Sequence, residues 1–234
     1  MPRTTSLEEI FRNAVTFPGA GVAVSALQTA LGHLEEELER SAAQISVRLS
    51  AKHSSLGEEL HPEDKEQDEY ELDRTVNVLL PRVVRGGFVL TLWSTFETAA
   101  LDLAQYAARE LHIAIPIDPF KHGSFLVNLD KVFTKTLKIA AFPDPAEHDR
   151  LDELRLFRHT LIHHGGKVVN LPVTLQRSNS QEYASIGLYL YEDMRHSYVV
   201  PDADFTRRRL ELVSEYLLAL SRRLYEAIHP VPLN

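Results

Sequence analysis

The chain has 234 residues, a net charge of −8 and no cysteine, which excludes disulfides, thiolate metal sites, iron–sulfur ligation and a cysteine nucleophile. Apolar residues at 44% and charged residues at 25% are ordinary globular usage, enough for a proper core. No long uninterrupted apolar run occurs, and the stretch 14–32 carries Pro18, Gly19 and Gly21 behind Glu8 and Glu9, so neither a membrane span nor a signal peptide is expected and a cytoplasmic location is.

The region 1–56 reads as helical. From Gly21 to about Ser50, apolar residues recur at helical spacing and an EEELER face turns to water. Between Glu58 and Asp73 nine acidic residues stand against Lys65 alone, so the rest of the chain, with 24 acidic and 24 basic residues, is neutral. With Gly57, Pro62 and few large apolar side chains, 57–73 reads as a solvated acidic loop. Residues 74–234 form the main, single helical domain. A long helical pattern from about Glu71 to Leu111 is interrupted by Pro81 and Gly86-Gly87, where a kink or break is predicted. Its second half places Leu92, Phe96, Ala99, Leu103 and Ala107 on one stripe. IPIDPFKHG (115–123) is a loop, and LVNLDKVFTKTLKIA (126–140) a third helix stopped by FPDPAEH.

A fourth helix begins near Ala146 and ends at the Gly165-Gly166 stop. The β-branched and aromatic stretches VVNLPVTLQ, ASIGLYLY and HSYVV, with SNSQE as a turn, predict a small antiparallel hairpin or three-stranded insertion near 167–200. Asp202 or Asp204 then caps a last helix with Leu210, Val213, Leu217, Leu220 and Leu224 inward. The fold class is mainly α: a helical bundle with a small antiparallel β appendage.

The chemistry concentrates in HDRLDELRLFRHTLIHHGG (148–166). On a helical wheel, Leu151, Leu154, Phe157, Leu161 and Ile162 fall within an arc of about 140°. Asp152, Arg155, His159 and His163 occupy the adjoining face. Arg158 projects into the apolar arc, where an unpaired guanidinium costs several kcal/mol. A carboxylate or phosphate should therefore await it, and Glu97 is the candidate carboxylate. His163 and His164 sit in the last turn, where the negative end of the helix dipole favours a protonated imidazole. A proton-exchanging histidine near a fixed cation is a workable site for phosphodiester chemistry.

The same residues carry other readings. Arg158 fits a structural ion pair with Glu97 inside the bundle. His159 and His163, at i and i+4, have the spacing of a helical metal pair, but a third ligand such as Asp152 or His148 would be needed and HExxH is absent. No metal or cofactor is expected. Lys131, Lys135 and Lys138 on one face of the third helix, together with Arg155, fit an RNA backbone or an ordinary solvated face.

Arg158-His-Thr-Leu-Ile-His163, an Arg and a His separated by four residues with a polar residue directly after the Arg, resembles the signature of the HEPN superfamily (higher eukaryotes and prokaryotes nucleotide-binding domain). LWSTFETAALDLAQ is similar to the aromatic–Glu helix that often precedes the motif, HHGG to the end of the motif helix, and the last helix completes a bundle of four or five. The resemblance covers roughly 71–228. It implies a metal-independent endoribonuclease of a toxin–antitoxin or defence-type system, acting on RNA as a homodimer whose motif helices line one cleft. Arg158 would stabilise charge on the phosphate and His163 would transfer protons. Glu97, His159 and His164 would support them. An antitoxin or nucleotidyltransferase is the partner such systems imply. His159 stands where the family more often has Asn or Asp. Gly165 stands where some members carry a Tyr modified by the nucleotidyltransferase, so that mode of regulation is not carried over. The alternative is a non-catalytic interaction or scaffold domain with Arg158 structural.

Overall fold

A computed structural model of the chain describes residues 18–56, 61–115, 123–171, 173–192 and 197–229. The protein is mainly helical. Helix α1 is Pro18–Leu56, α2 Pro62–Arg74 and α3 Leu80–Glu110, with a π-helical segment, Thr75–Leu79, between α2 and α3. Helix α4, Phe125–Asp130, continues as a second π segment, Lys131–Leu137, and α5 is Pro145–His164. Two 3-10 turns, Val168–Asn170 and Val173–Leu175, lead to a short α6, Ser180–Ser185. Strands β1 (Leu188–Glu192) and β2 (Ser197–Pro201) follow, then α7, Ala203–Ile228.

Several expectations need correction. The acidic stretch is helix α2, not a loop, over Pro62–Arg74. Pro62 starts the helix at a position where no N–H is needed. The His61 side chain accepts from the Glu63 N–H, and Glu63 and Asp64 face the positive end of the dipole. Glu, Gln and Lys are good helix formers, and Gln67–Glu71 (2.8 Å) and Asn77–Asp73 (2.7 Å) pair one turn apart. None of the residues in α2 is buried, so this helix stands without a core of its own.

No break occurs at Gly86-Gly87, which lie inside α3. The irregularity is the π segment ahead of Pro81, where the Leu80 N–H reaches back to the Thr75 carbonyl. A proline cannot donate into the helical ladder and crowds the preceding turn, and a π segment just before it relieves both demands without ending the helix. VVNLPVTLQ is not a strand; most of its described residues form the two 3-10 turns. Asn179, in the expected SNSQE turn, instead caps α6 by accepting from the Glu182 N–H at 3.0 Å. The sheet is a two-stranded antiparallel hairpin pairing Leu188 with Pro201 through to Glu192 with Ser197. The loop expected at 115–123 lies mostly outside the described residues.

The chain divides into two compact units. The first comprises Met1–Gln28, Thr91–Arg155 and Arg209–Asn234, the second Thr29–Leu90 and Leu156–Arg208. In the first, Trp93, Phe96, Phe125, Phe142 and Tyr216 form an aromatic cluster with neighbouring ring centres 5.2–6.3 Å apart. The Tyr216 hydroxyl and Arg223 both donate to the Ala141 carbonyl, at 3.3 and 3.1 Å. Burial holds the Tyr216 phenol neutral far above its usual range. The stripe Leu92, Phe96, Ala99, Leu103 and Ala107 is buried as its spacing predicts, and so are the inward residues of α7.

In the second unit, α1 from Thr29 onward lies beside α2 and the start of α3. Lys52 and His53 reach Asp68 at 2.6 and 3.2 Å, and Arg85 grips Glu35 with two contacts of 2.9 and 2.6 Å. Glu35 was expected on the solvated EEELER face and is instead half-buried in this pair. Helix 62–110 is long and apolar enough to cross a membrane by length and composition. Its apolar stretch contains Phe88, Val89, Leu92, Trp93 and Phe96, each at most 3% exposed within the protein.

Candidate functional site

Helix α5 starts where Asp144 accepts from the Ala146 N–H at 2.9 Å, with Pro145 at the first helical position. Of its five predicted apolar residues, Leu151, Leu154 and Phe157 are fully buried, Leu161 is half-buried and Ile162 is 44% exposed. Phe157 packs on Phe205 with ring centres 4.8 Å apart. The apolar face is therefore buried from Leu151 to Phe157 and opens towards the end of the helix.

At that end Gly165 (φ 58°) and Gly166 (φ 80°) both take the left-handed backbone conformation. The Gly165 N–H bonds to the Leu161 carbonyl at 3.2 Å, a left-handed helix cap. The Gly166 carbonyl accepts from Val199 of β2 at 2.9 Å, and Lys167 bridges to Tyr198. The stop is thus stitched to the β hairpin. The hairpin is held in turn by Arg82 over the Tyr198 ring (5.3 Å) and by the Tyr70 and Tyr191 hydroxyls at 3.3 Å.

Immediately before the stop, the exposed imidazoles of His159, His163 and His164 cluster. The ring centres of His159 and His163 are 4.4 Å apart, and His164 lies 6.1 and 6.4 Å from them. Arg158 is half-buried and its Nε is sealed from solvent with no hydrogen-bond partner. Among the described residues of its unit Arg158 makes no ion pair. The arrangement offers proton-transfer groups at the surface of the helix that also carries the half-buried Arg158.

The other predicted site residues are less concentrated. Glu97, Lys131, Lys135, Lys138 and Arg155 belong to the first unit, whereas Arg158 and the three histidines belong to the second. The three lysines are exposed along the helical segment 125–137 and its left-handed end at Lys138. Arg155 donates its Nε–H to Asp152 at 2.7 Å. The two residues considered as a third metal ligand have partners of their own: Asp152 holds Arg155, and His148 sits 3.5 Å from Asp149 and edge-on to Phe142. Among the described residues no group of three or more His, Asp or Glu is placed to hold a metal ion.

Sequence reasoning passed over Arg85. With Leu38, Val76, Pro81, Tyr189 and Asp202 it lines a cleft of ≈510 Å³ in the second unit. An arginine inside the apolar run VVRGGFV was the available signal, the same anomaly that singled out Arg158. Asp202 caps α7 by accepting from the Phe205 N–H at 2.7 Å, and burial raises its carboxyl above the ordinary range.

Comparison of the chain with protein families, curated proteins and solved structures returned no match.

Proposed function

We propose that the protein is a metal-independent endoribonuclease of the HEPN kind, belonging to a toxin–antitoxin or defence-type system and working as a homodimer. The observation that carries this reading is the end of α5. Exposed His163 stands beside His159 and His164, five residues after the half-buried Arg158 on the same helix. The reaction is attack of a ribose 2′-oxygen on the adjacent phosphorus, with cleavage of the bond to the 5′-oxygen. It leaves a 2′,3′-cyclic phosphate and a 5′-hydroxyl. His163 moves the proton between these oxygens, and Arg158 stabilises the charge of the pentacoordinate phosphorus. RNA is then the substrate, and an antitoxin or nucleotidyltransferase is the partner class. The burial of Arg158 Nε also suits a second reading, a scaffold domain in which the guanidinium packs against its surroundings.

The test incubates wild type, Arg158→Ala and His163→Ala with mixed RNAs in excess chelator. Product ends are analysed for cyclic phosphate, and circular dichroism checks that all three proteins are folded. Cleavage by wild type alone, losing about a hundredfold or more with either variant, is the expected result. No cleavage by any, with Arg158→Ala markedly destabilised, supports the scaffold.

A further inference from the structure

We infer that His159 and His163 form a binding site for a borderline-soft divalent transition cation, with Cu2+ preferred over Ni2+ and Zn2+. The pair lies on one helical face, one turn apart, where side chains meet. Both rings are exposed, so a cation reaches them without opening the fold. Metal–nitrogen bonds of about 2.0–2.1 Å place the centres of two imidazoles on one cation roughly 4–5.5 Å apart. The observed separation of 4.4 Å falls inside that interval. His164, at 6.1 and 6.4 Å, falls outside it.

The chemistry of the donors sets the selectivity. Imidazole nitrogens as donors favour Cu2+, Ni2+ and Zn2+, following the general order of affinities, over Mg2+ and Ca2+, which want oxygen. Asp152 and His148, each engaged elsewhere, do not complete a three-residue cage. The pair therefore supplies two nitrogens of the coordination sphere. His163 is also the proton-transfer residue of the ribonuclease reading, so a cation on this pair and RNA cleavage exclude one another. The site itself does not rest on that reading, because binding is measured without RNA.

The experiment titrates Cu2+ into the full-length protein by calorimetry and records the electron paramagnetic resonance of the one-equivalent complex. His159→Ala, His163→Ala and His164→Ala are compared with wild type, and Mg2+ serves as the control ion. We expect nitrogen hyperfine structure from two imidazoles in wild type and no Mg2+ binding. The tightest Cu2+ site should weaken more than about tenfold in His159→Ala and in His163→Ala, no less than the loss that follows removal of a ligand's hydrogen-bond partner. His164→Ala should keep wild-type affinity. All three residues are exposed, so folding is retained and is checked by circular dichroism. Unchanged Cu2+ affinity in His159→Ala or His163→Ala overturns the assignment, and so does an equal loss in His164→Ala.

Discussion

The carbonyl oxygen of Val199 lies 2.8 Å from the point where a Cβ on Gly166 would stand. Gly166 also has a φ of 80°, so steric and conformational demands coincide there. At Gly165, with φ 58°, nothing lies within 4 Å of the corresponding point. Gly165→Ala should cost about 1 kcal/mol, from the left-handed backbone alone. Gly166→Ala should cost about 2–4 kcal/mol, because the strand must also move. Thermal denaturation of the two variants checks the order.

The Arg85–Glu35 pair is the second test. Its side chains are only 17% and 25% exposed, so deleting one partner leaves a charge with little water to replace it. Glu35→Ala should destabilise by about 1–3 kcal/mol. The double variant with Arg85→Ala should cost less than the two single losses combined. Additive costs in urea titrations would show that the pair is energetically idle.

Asp202 links pH to stability. Burial raises its carboxyl above 3.8 in the folded protein, so folding favours the protonated form. Its contribution is fully present below about pH 3.8 and is lost as pH rises through the raised value. Asp202→Asn keeps an oxygen to accept from Phe205 and never ionises. The stability of Asp202→Asn relative to wild type should therefore improve as pH climbs from 4 towards neutrality. Asp202→Ala, lacking the cap, should lose about 1 kcal/mol. Denaturant midpoints across that pH range measure both effects.

Asp68 behaves in the opposite sense. Hydrogen bonds from Lys52 and then His53 hold its carboxyl below the usual 3.8. Its contribution is present above that value and lost as pH falls through the lowered one. Because α2 buries nothing, the effect should be local. In Asp68→Asn, amide hydrogen exchange should speed up in α2 while the amides around Phe96 and Leu103 stay protected.

Legibility in the sequence tracked the strength of the apolar pattern. The stripe from Leu92 to Ala107 and the inward face of α7 repeat without interruption, and burial follows the repeat. Helix α5 ends as its glycines predict because two successive left-handed residues admit few alternatives. Helix α2 was misread because its stability comes from capping and pairs one turn apart, not from an apolar face. VVNLPVTLQ was misread because β propensity measures fit to a half-buried pleated surface. Val169 and Val173 are 75% and 83% exposed, so no such surface was available to them. The histidine cluster was visible as spacing, whereas the sealed Nε of Arg158 and the embrace of Glu35 by Arg85 depend on tertiary placement that no local pattern encodes.

The π segment Thr75–Leu79 carries a consequence for how this rod of helix is oriented. Its hydrogen bond from Leu80 back to Thr75 accommodates one more residue than an α turn, amounting to a single-residue insertion with an angular phase shift of about 100°. The acidic arm upstream and the apolar stretch downstream are thereby clocked differently along a continuous rod. Deleting Asn77 would bring them back into step and rotate the arm by roughly a quarter turn. Asp68 would then swing away from Lys52 and His53, while Arg85, downstream of the insertion, would keep its hold on Glu35.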